Sequence, residues 1–243
     1  MGVDRDAGRV VVVPLTEADV AATDPPGPGR LVSLAARVPG AVVAVVSGVA
    51  IGVLVVMGTL QRVAFPEWGA ANLDSEVSVA TWFSAALLWT TAFWWLLVAV
   101  TDRPRSQAIW IWWPILALLA LDEGIAIHER LERWSGIDWQ FLYLPVMGIA
   151  AVAWWGVVRR YRGQARIVAL LVAGAAVWFV ALALELVQNW GGSPVRAAIY
   201  NPAMITEEAL EMIGSTVMLV AATAALGLSI RAEGAIEHRR DRT

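Results

Sequence analysis

Apolar residues fall in six long blocks, at 39–61, 78–100, 107–131, 139–158, 166–189 and 203–230. Each is near the roughly 20 residues that a helix needs to cross a hydrocarbon core of about 30 Å. The segments between them have turn chemistry or charge: Pro66-Glu67-Trp68-Gly69, Thr101-Asp102-Arg103-Pro104-Arg105, Ser135-Gly136-Ile137-Asp138, Arg159-Arg160-Tyr161-Arg162-Gly163 and Gly191-Gly192-Ser193-Pro194. None is long enough for a separate soluble domain. The pattern predicts an all-α integral membrane bundle of six transmembrane helices over residues 38–231, with a flexible cytoplasmic tail at 1–37 and a basic cytoplasmic tail at 232–243. The first tail lacks the uninterrupted apolar core of a secretory signal, and its Asp24-Pro25-Pro26-Gly27-Pro28-Gly29 run is incompatible with helix.

Charge orients the bundle. All 18 basic residues are arginine, and basic residues are retained on the cytoplasmic side. With both termini inside, the inner segments hold Arg5, Arg9, Arg30, Arg37, Arg103, Arg105, Arg159, Arg160, Arg162, Arg166, Arg231, Arg239, Arg240 and Arg242. The outer loops keep only Arg62, Arg130, Arg133 and Arg196. An N-in, C-in protein of a bacterial inner membrane is therefore expected.

Composition narrows the chemistry. The chain is 58% hydrophobic with a mean hydropathy of +0.63. A net charge of −3 gives no reason to expect nucleic acid as a partner. The absence of cysteine excludes disulfides, thiolate metal sites, iron–sulfur clusters and cysteine nucleophiles. Most of the 14 tryptophans fall near span ends and read as an interfacial belt, Trp95, Trp112 and Trp139 among them. Trp89 and Trp178 fall near mid-membrane, where an indole N–H needs a partner.

Against this apolar background stand seven carboxylates and a histidine: Asp122, Glu123, His128 and Glu129 in the third block, Glu185 in the fifth, and Glu207, Glu208 and Glu211 in the sixth. A charge at the bilayer centre costs roughly 2.5–3.5 kcal/mol on insertion scales, so such a set must pair with cations, share protons or ligate a metal. In the assigned topology the three groups share one depth beneath the outer surface. At about 100° per residue on a continuous helix, Asp122 and Glu129 nearly eclipse each other. His128 then borders the same wide face, and Glu123 points away from it. Glu207, Glu208 and Glu211 share one arc, continued by Ser215, and Glu185, Gln188 and Asn189 form a comparable polar stripe.

Carboxylates with a single intramembrane imidazole suit a divalent metal ion: iron, manganese or zinc, with calcium as an alternative. The expected ligands are Asp122, His128, Glu129, Glu185, Glu207, Glu208 and Glu211, with Glu123 or Glu208 as general base. With one intramembrane histidine, a symmetric two-histidine di-iron centre is disfavoured. In the first outer loop, Asp74 and Glu76 are candidate lid residues. The competing reading is solvated loop charge, with Asp74 or Ser75 capping the next helix.

The strings Leu121-Asp122-Glu123, His128-Glu129 and Glu207-Glu208-Ala209-Leu210-Glu211-Met212-Ile213-Gly214, with Asn72-Leu73-Asp74-Ser75-Glu76 and Thr81-Trp82-Phe83-Ser84, resemble a group of uncharacterised bacterial multipass membrane proteins. The likeness covers most of residues 70–230 and implies the six-helix fold without implying an activity. The chain looks unlike alkaline ceramidase-type hydrolases, whose zinc sites depend on several histidines. Without lysine it cannot form a retinal Schiff base.

The leading expectation is a membrane-embedded metal-binding protein, a metal-dependent hydrolase or oxidoreductase acting on a lipid or other hydrophobic small molecule at the outer leaflet. The alternatives are a proton- or ion-coupled transporter or channel using the carboxylates as a relay, and an accessory subunit of a membrane complex. Membrane lipid is an expected partner, and a homo-oligomer or larger membrane complex is allowed.

Overall fold

Lipid offers the backbone no hydrogen-bond partner, so a chain this apolar crosses a bilayer with its peptide groups bonded to one another. The computed structural model describes residues 34–35, 37–73, 78–190 and 193–240. Among the described residues there are seven α-helices and no strand. They are α1 (Gly40–Val63), α2 (Val79–Thr101), α3 (Gln107–Ile125), α4 (Ile127–Ser135), α5 (Trp139–Arg160), α6 (Ala165–Trp190) and α7 (Ser193–Arg240). All but α4 are long and apolar enough to span a membrane, α7 over Pro202–Ala232, and the protein is a multipass membrane protein. These helices belong to one unit, Ala36–Thr243, distinct from Met1–Ala35. Most of the tail expected over 1–37, the lid candidates Asp74 and Glu76, Ser75, and the side chains of Asn189 and Arg196 lie outside the described residues.

Helix α7 is the hub. It packs along α6, α2 and α1, while α2 also packs on α3 and α3 on α5. Small residues allow the closest approach, as is usual where lipid supplies no hydrophobic drive between helices. At Gly214 of α7 the Trp178 indole occupies the space that a Cβ would need, and Gly174 of α6 lies against the Met218 side chain. By contrast α1 is peripheral, with Val45, Val46, Val49 and Val53 more than half exposed, as suits a surface solvated by lipid tails. Hydroxyls within the spans bond back to the carbonyl four residues earlier, as Thr91 does to Leu87 at 2.8 Å and Thr216 to Met212 at 2.8 Å.

Local chemistry sets most helix ends. The Ser78 hydroxyl caps α2 by accepting the Thr81 N–H at 3.1 Å, so the cap is Ser78 and not Asp74 or Ser75. The Asp138 carboxylate caps α5 by accepting the Gln140 N–H at 2.9 Å. Gly136, at φ 68°, ends α4 in the left-handed conformation that glycine adopts without a Cβ clash.

Three sequence expectations need correction. The third span ends at Ile125 rather than 131, because Ala126 turns into the left-handed region at φ 49° and starts α4. The last helix runs on to Arg240 through the stretch expected as a tail. Trp95 and Trp112, assigned to the interfacial belt, are 0% and 3% exposed and pack inside the bundle.

At the end of the bundle opposite Ala126, a partly buried ion pair ties α5 to the residue that follows α2. Arg160 donates Nε to Asp102 Oδ1 and Oδ2 at 3.2 Å each, and Nη2 to Oδ1 at 2.8 Å. Asp102 is only 4% exposed. Removing the arginine strands that carboxylate, which typically costs on the order of 3 kcal/mol, more than the pair itself contributes. Arg160→Ala is therefore expected to lower the thermal midpoint in detergent more than Arg160→Ala combined with Asp102→Ala does. Additive losses in this double-mutant cycle would show that the pair is not coupled.

Candidate metal centre

Asp122 lies on the last turn of α3, and the break that follows is built around it. The Asp122 carbonyl accepts the Ala126 N–H at 2.7 Å, which closes α3. Its carboxylate reaches past the break, where Oδ1 accepts the His128 backbone N–H at 2.7 Å. Asp122 thereby caps α4 from the preceding helix, a role that a side chain next to the cap would ordinarily fill. The second oxygen, Oδ2, lies 3.1 Å from His128 Nδ1. A carboxylate at that nitrogen makes Nδ1 the protonated position and Nε2 the acceptor.

The His128 ring lies 5.1 Å from the Trp139 ring, which meets Tyr143 edge-on at 5.6 Å. The Trp139 indole N–H donates to Glu185 Oε1 at 2.7 Å. A continuous chain, Asp122 to His128 to Trp139 to Glu185, thus links α3, α4, α5 and α6 around one mouth. On the far wall the buried Gln188 of α6 donates its amide to Glu207 of α7. The Trp178 indole N–H lies 3.2 Å from the Glu211 carbonyl and 3.3 Å from the Ser215 hydroxyl, and the missing side chain at Gly214 leaves room for the ring.

These walls enclose a cavity of about 390 Å³. All eight residues singled out in the sequence line it: Asp122, Glu123, His128, Glu129, Glu185, Glu207, Glu208 and Glu211. Within it, Glu123 of α3 and Glu208 and Glu211 of α7 converge. One carboxylate oxygen from each lies within 4.8 Å of the others, a spacing at which the three can hold one metal ion. Three carboxylates this close inside a membrane span cannot all be ionised without a cation or shared protons.

The helical-wheel expectation fails at Ala126. Glu123 does not point away from the site but joins Glu208 and Glu211. Asp122 and Glu129 are not eclipsed on one helix, because the left-handed residue between them redirects the chain. Glu129 instead reaches Arg133 at 3.5 Å, with its side chain 42% exposed. The geometry thus groups Glu123, Glu208 and Glu211, while Asp122 pairs with His128, Glu185 with Trp139, Glu207 with Gln188 and Glu129 with Arg133.

Sequence reasoning missed Trp139 and Tyr143, which line the cavity from α5. Their spacing of four residues on one helical face was the available signal, and position near a span end masked it. Trp178, one of the two mid-membrane indoles, lines the cavity, whereas Trp89 is 45% exposed.

The double use of Asp122 is testable. Asp122→Ala removes the cap of α4 and is expected to speed amide hydrogen exchange over His128–Arg133 by about five- to tenfold, the equivalent of about 1 kcal/mol. Asp122→Asn retains an oxygen acceptor and should leave most of that protection. Equal exchange in the two variants would show that the carboxylate does not cap α4.

No curated protein and no solved structure matches this sequence. A family model does match, over residues 31–226, which include all six spans up to the later turns of α7 and every residue of the cavity. The chain belongs to the family described as a domain of unknown function, DUF8692.

Proposed function

We propose that this protein binds a divalent metal ion within the membrane through Glu123, Glu208 and Glu211, and uses it as a metal-dependent enzyme on a lipid or other hydrophobic substrate. The convergence of three carboxylates from two helices, with ligand atoms within 4.8 Å of one another, carries the reading. An all-oxygen set favours a hard cation, so manganese, iron(II), magnesium and calcium fit better than zinc, for which a histidine ligand was expected. His128 serves the reaction instead of the metal. With Nδ1 fixed by Asp122, its Nε2 is the proton acceptor, and Glu123 and Glu208 act as ligands rather than bases. The ion supplies Lewis acidity and an activated oxygen nucleophile. Arginine asymmetry favours an orientation with the site facing the extracytoplasmic side of a bacterial inner membrane.

A site is favoured over a proton or ion conduit by what lies deeper in the bundle. Trp95, Leu116, Met218 and Leu226 are each 0% exposed and pack in the interior between this cavity and the opposite end, beside the hydroxyls of Thr91, Thr216 and Thr223. An ionic relay needs ionisable groups or water where these side chains pack.

Elemental analysis of detergent-purified protein tests the reading. A stoichiometric divalent metal is expected in the native chain, with strong loss in Glu208→Gln and Glu211→Gln and retention in His128→Gln. A folded native chain that is metal-free after growth with added manganese, iron, magnesium and calcium, or metal retained in full by both glutamine variants, would reject it.

A further inference from the structure

Helices α5 and α6 are consecutive and joined by the short turn at Tyr161–Gln164, yet they share no extended packing face. Helix α5 packs on α3 and α6 packs on α7, so the pair diverges from the turn. Two indole hydrogen bonds cross the gap. Near the turn, Trp154 Nε1 donates to the Leu171 carbonyl at 3.3 Å. At the other end, Trp139 Nε1 donates to Glu185 Oε1 at 2.7 Å. Between these crossings lie about 22 Å of α5 at 1.5 Å rise per residue.

The cavity lies along this interval. Val146, Met147 and Ala150 of α5 and Trp178 and Leu182 of α6 line it, all without charge. Just outside, Ile149, Val152 and Phe179 are 55%, 75% and 72% exposed on faces that meet lipid in a spanning helix. One end of the space is therefore hydrocarbon-like and borders the bilayer, and the other holds the carboxylates.

We infer that the gap between α5 and α6 is a lateral portal through which a single long hydrocarbon chain of a membrane lipid slides from the bilayer into the cavity, leaving its polar head at the carboxylate end. The inference deepens the metal-enzyme reading and rests on it for the identity of the reacting end. A water-soluble substrate would use the polar mouth and have no use for an apolar slot opening onto lipid tails. A cavity of about 390 Å³ falls within the roughly 300–1,000 Å³ usual for small-molecule sites. The Trp139–Glu185 bond closes the portal at the head end, so the chain enters below it.

The probe is phosphatidylethanolamine with a diazirine midway along one acyl chain, incorporated into vesicles holding the full-length protein. After photolysis, peptide mapping is expected to find label concentrated on Met147, Ala150 and Leu182 relative to the lipid-facing Val152, Phe179 and Val53. Ala150→Trp, or Leu182→Trp should the first not fold, fills the slot and is expected to abolish that concentration while leaving Val152 and Val53 labelled. Uniform labelling of the native chain, or concentration that survives both tryptophan variants, overturns the portal. Metal content measured on the same samples separates the two readings. Slot labelling in a preparation that never holds metal sustains the portal and removes the metal enzyme. Stoichiometric metal with uniform labelling does the reverse.

Discussion

A carboxylate carried into hydrocarbon needs a proton, a cation or a set of hydrogen-bond donors, and that demand organises one end of this bundle. Asp122, Glu185, Glu207 and Glu129 meet it with an imidazole, an indole, an amide and a guanidinium in turn. The imidazole, indole and amide come from α4, α5 and α6, so the walls of the cavity are held from several helices at once. Glu123, Glu208 and Glu211 are then brought to a common point from α3 and α7, two helices not joined in sequence. On the proposed reading a metal ion offsets the mutual repulsion of these three carboxylates, and the arrangement that holds the fold together at this end is also the one that prepares the site.

Asp122 is the hinge of that arrangement. An alanine at φ 49° costs roughly 1–2 kcal/mol relative to an ordinary helical residue, so the turn at Ala126 needs compensation. The Asp122 carboxylate supplies it through the His128 N–H and ring nitrogen, and the Asp122 carbonyl supplies more through the Ala126 N–H. The same bonds that make the turn affordable rotate the imidazole over Trp139 and set its tautomer. Strain, capping and the orientation of a proton-accepting group therefore reside in one side chain.

The spans were legible because membrane helices announce themselves by length and hydropathy, and all five breaks between the six spans were written in proline, glycine or charge. The family of acidic residues was legible for the same reason, since each stands out against an apolar run. Their pairing was not. A helical wheel presumes an unbroken 3.6-residue period, and Leu121-Asp122-Glu123-Gly124-Ile125-Ala126 carries no proline to say otherwise. The turn falls on alanine, the residue with the strongest helix preference, because tertiary contacts of Asp122 override it. Glu123 was consequently assigned to the wrong face. Trp139 was read as belt for a related reason: depth in the membrane fits both an interfacial anchor and a partner for Glu185, and periodicity does not separate them.

The two ends of the bundle carry opposite mechanical demands. At one, Arg160 clamps Asp102 with three close N–O contacts, and the tight Tyr161–Gln164 turn holds α5 beside α6. At the other, the same two helices lack an extended packing face and meet where the Trp139 indole N–H donates to Glu185. A closed base with an open rim lets α5 and α6 part along the cavity while α7, which carries Glu208 and Glu211, stays held by α1 and α2. A bundle with its rigid clamp at the carboxylate end would have to distort the site each time it opened.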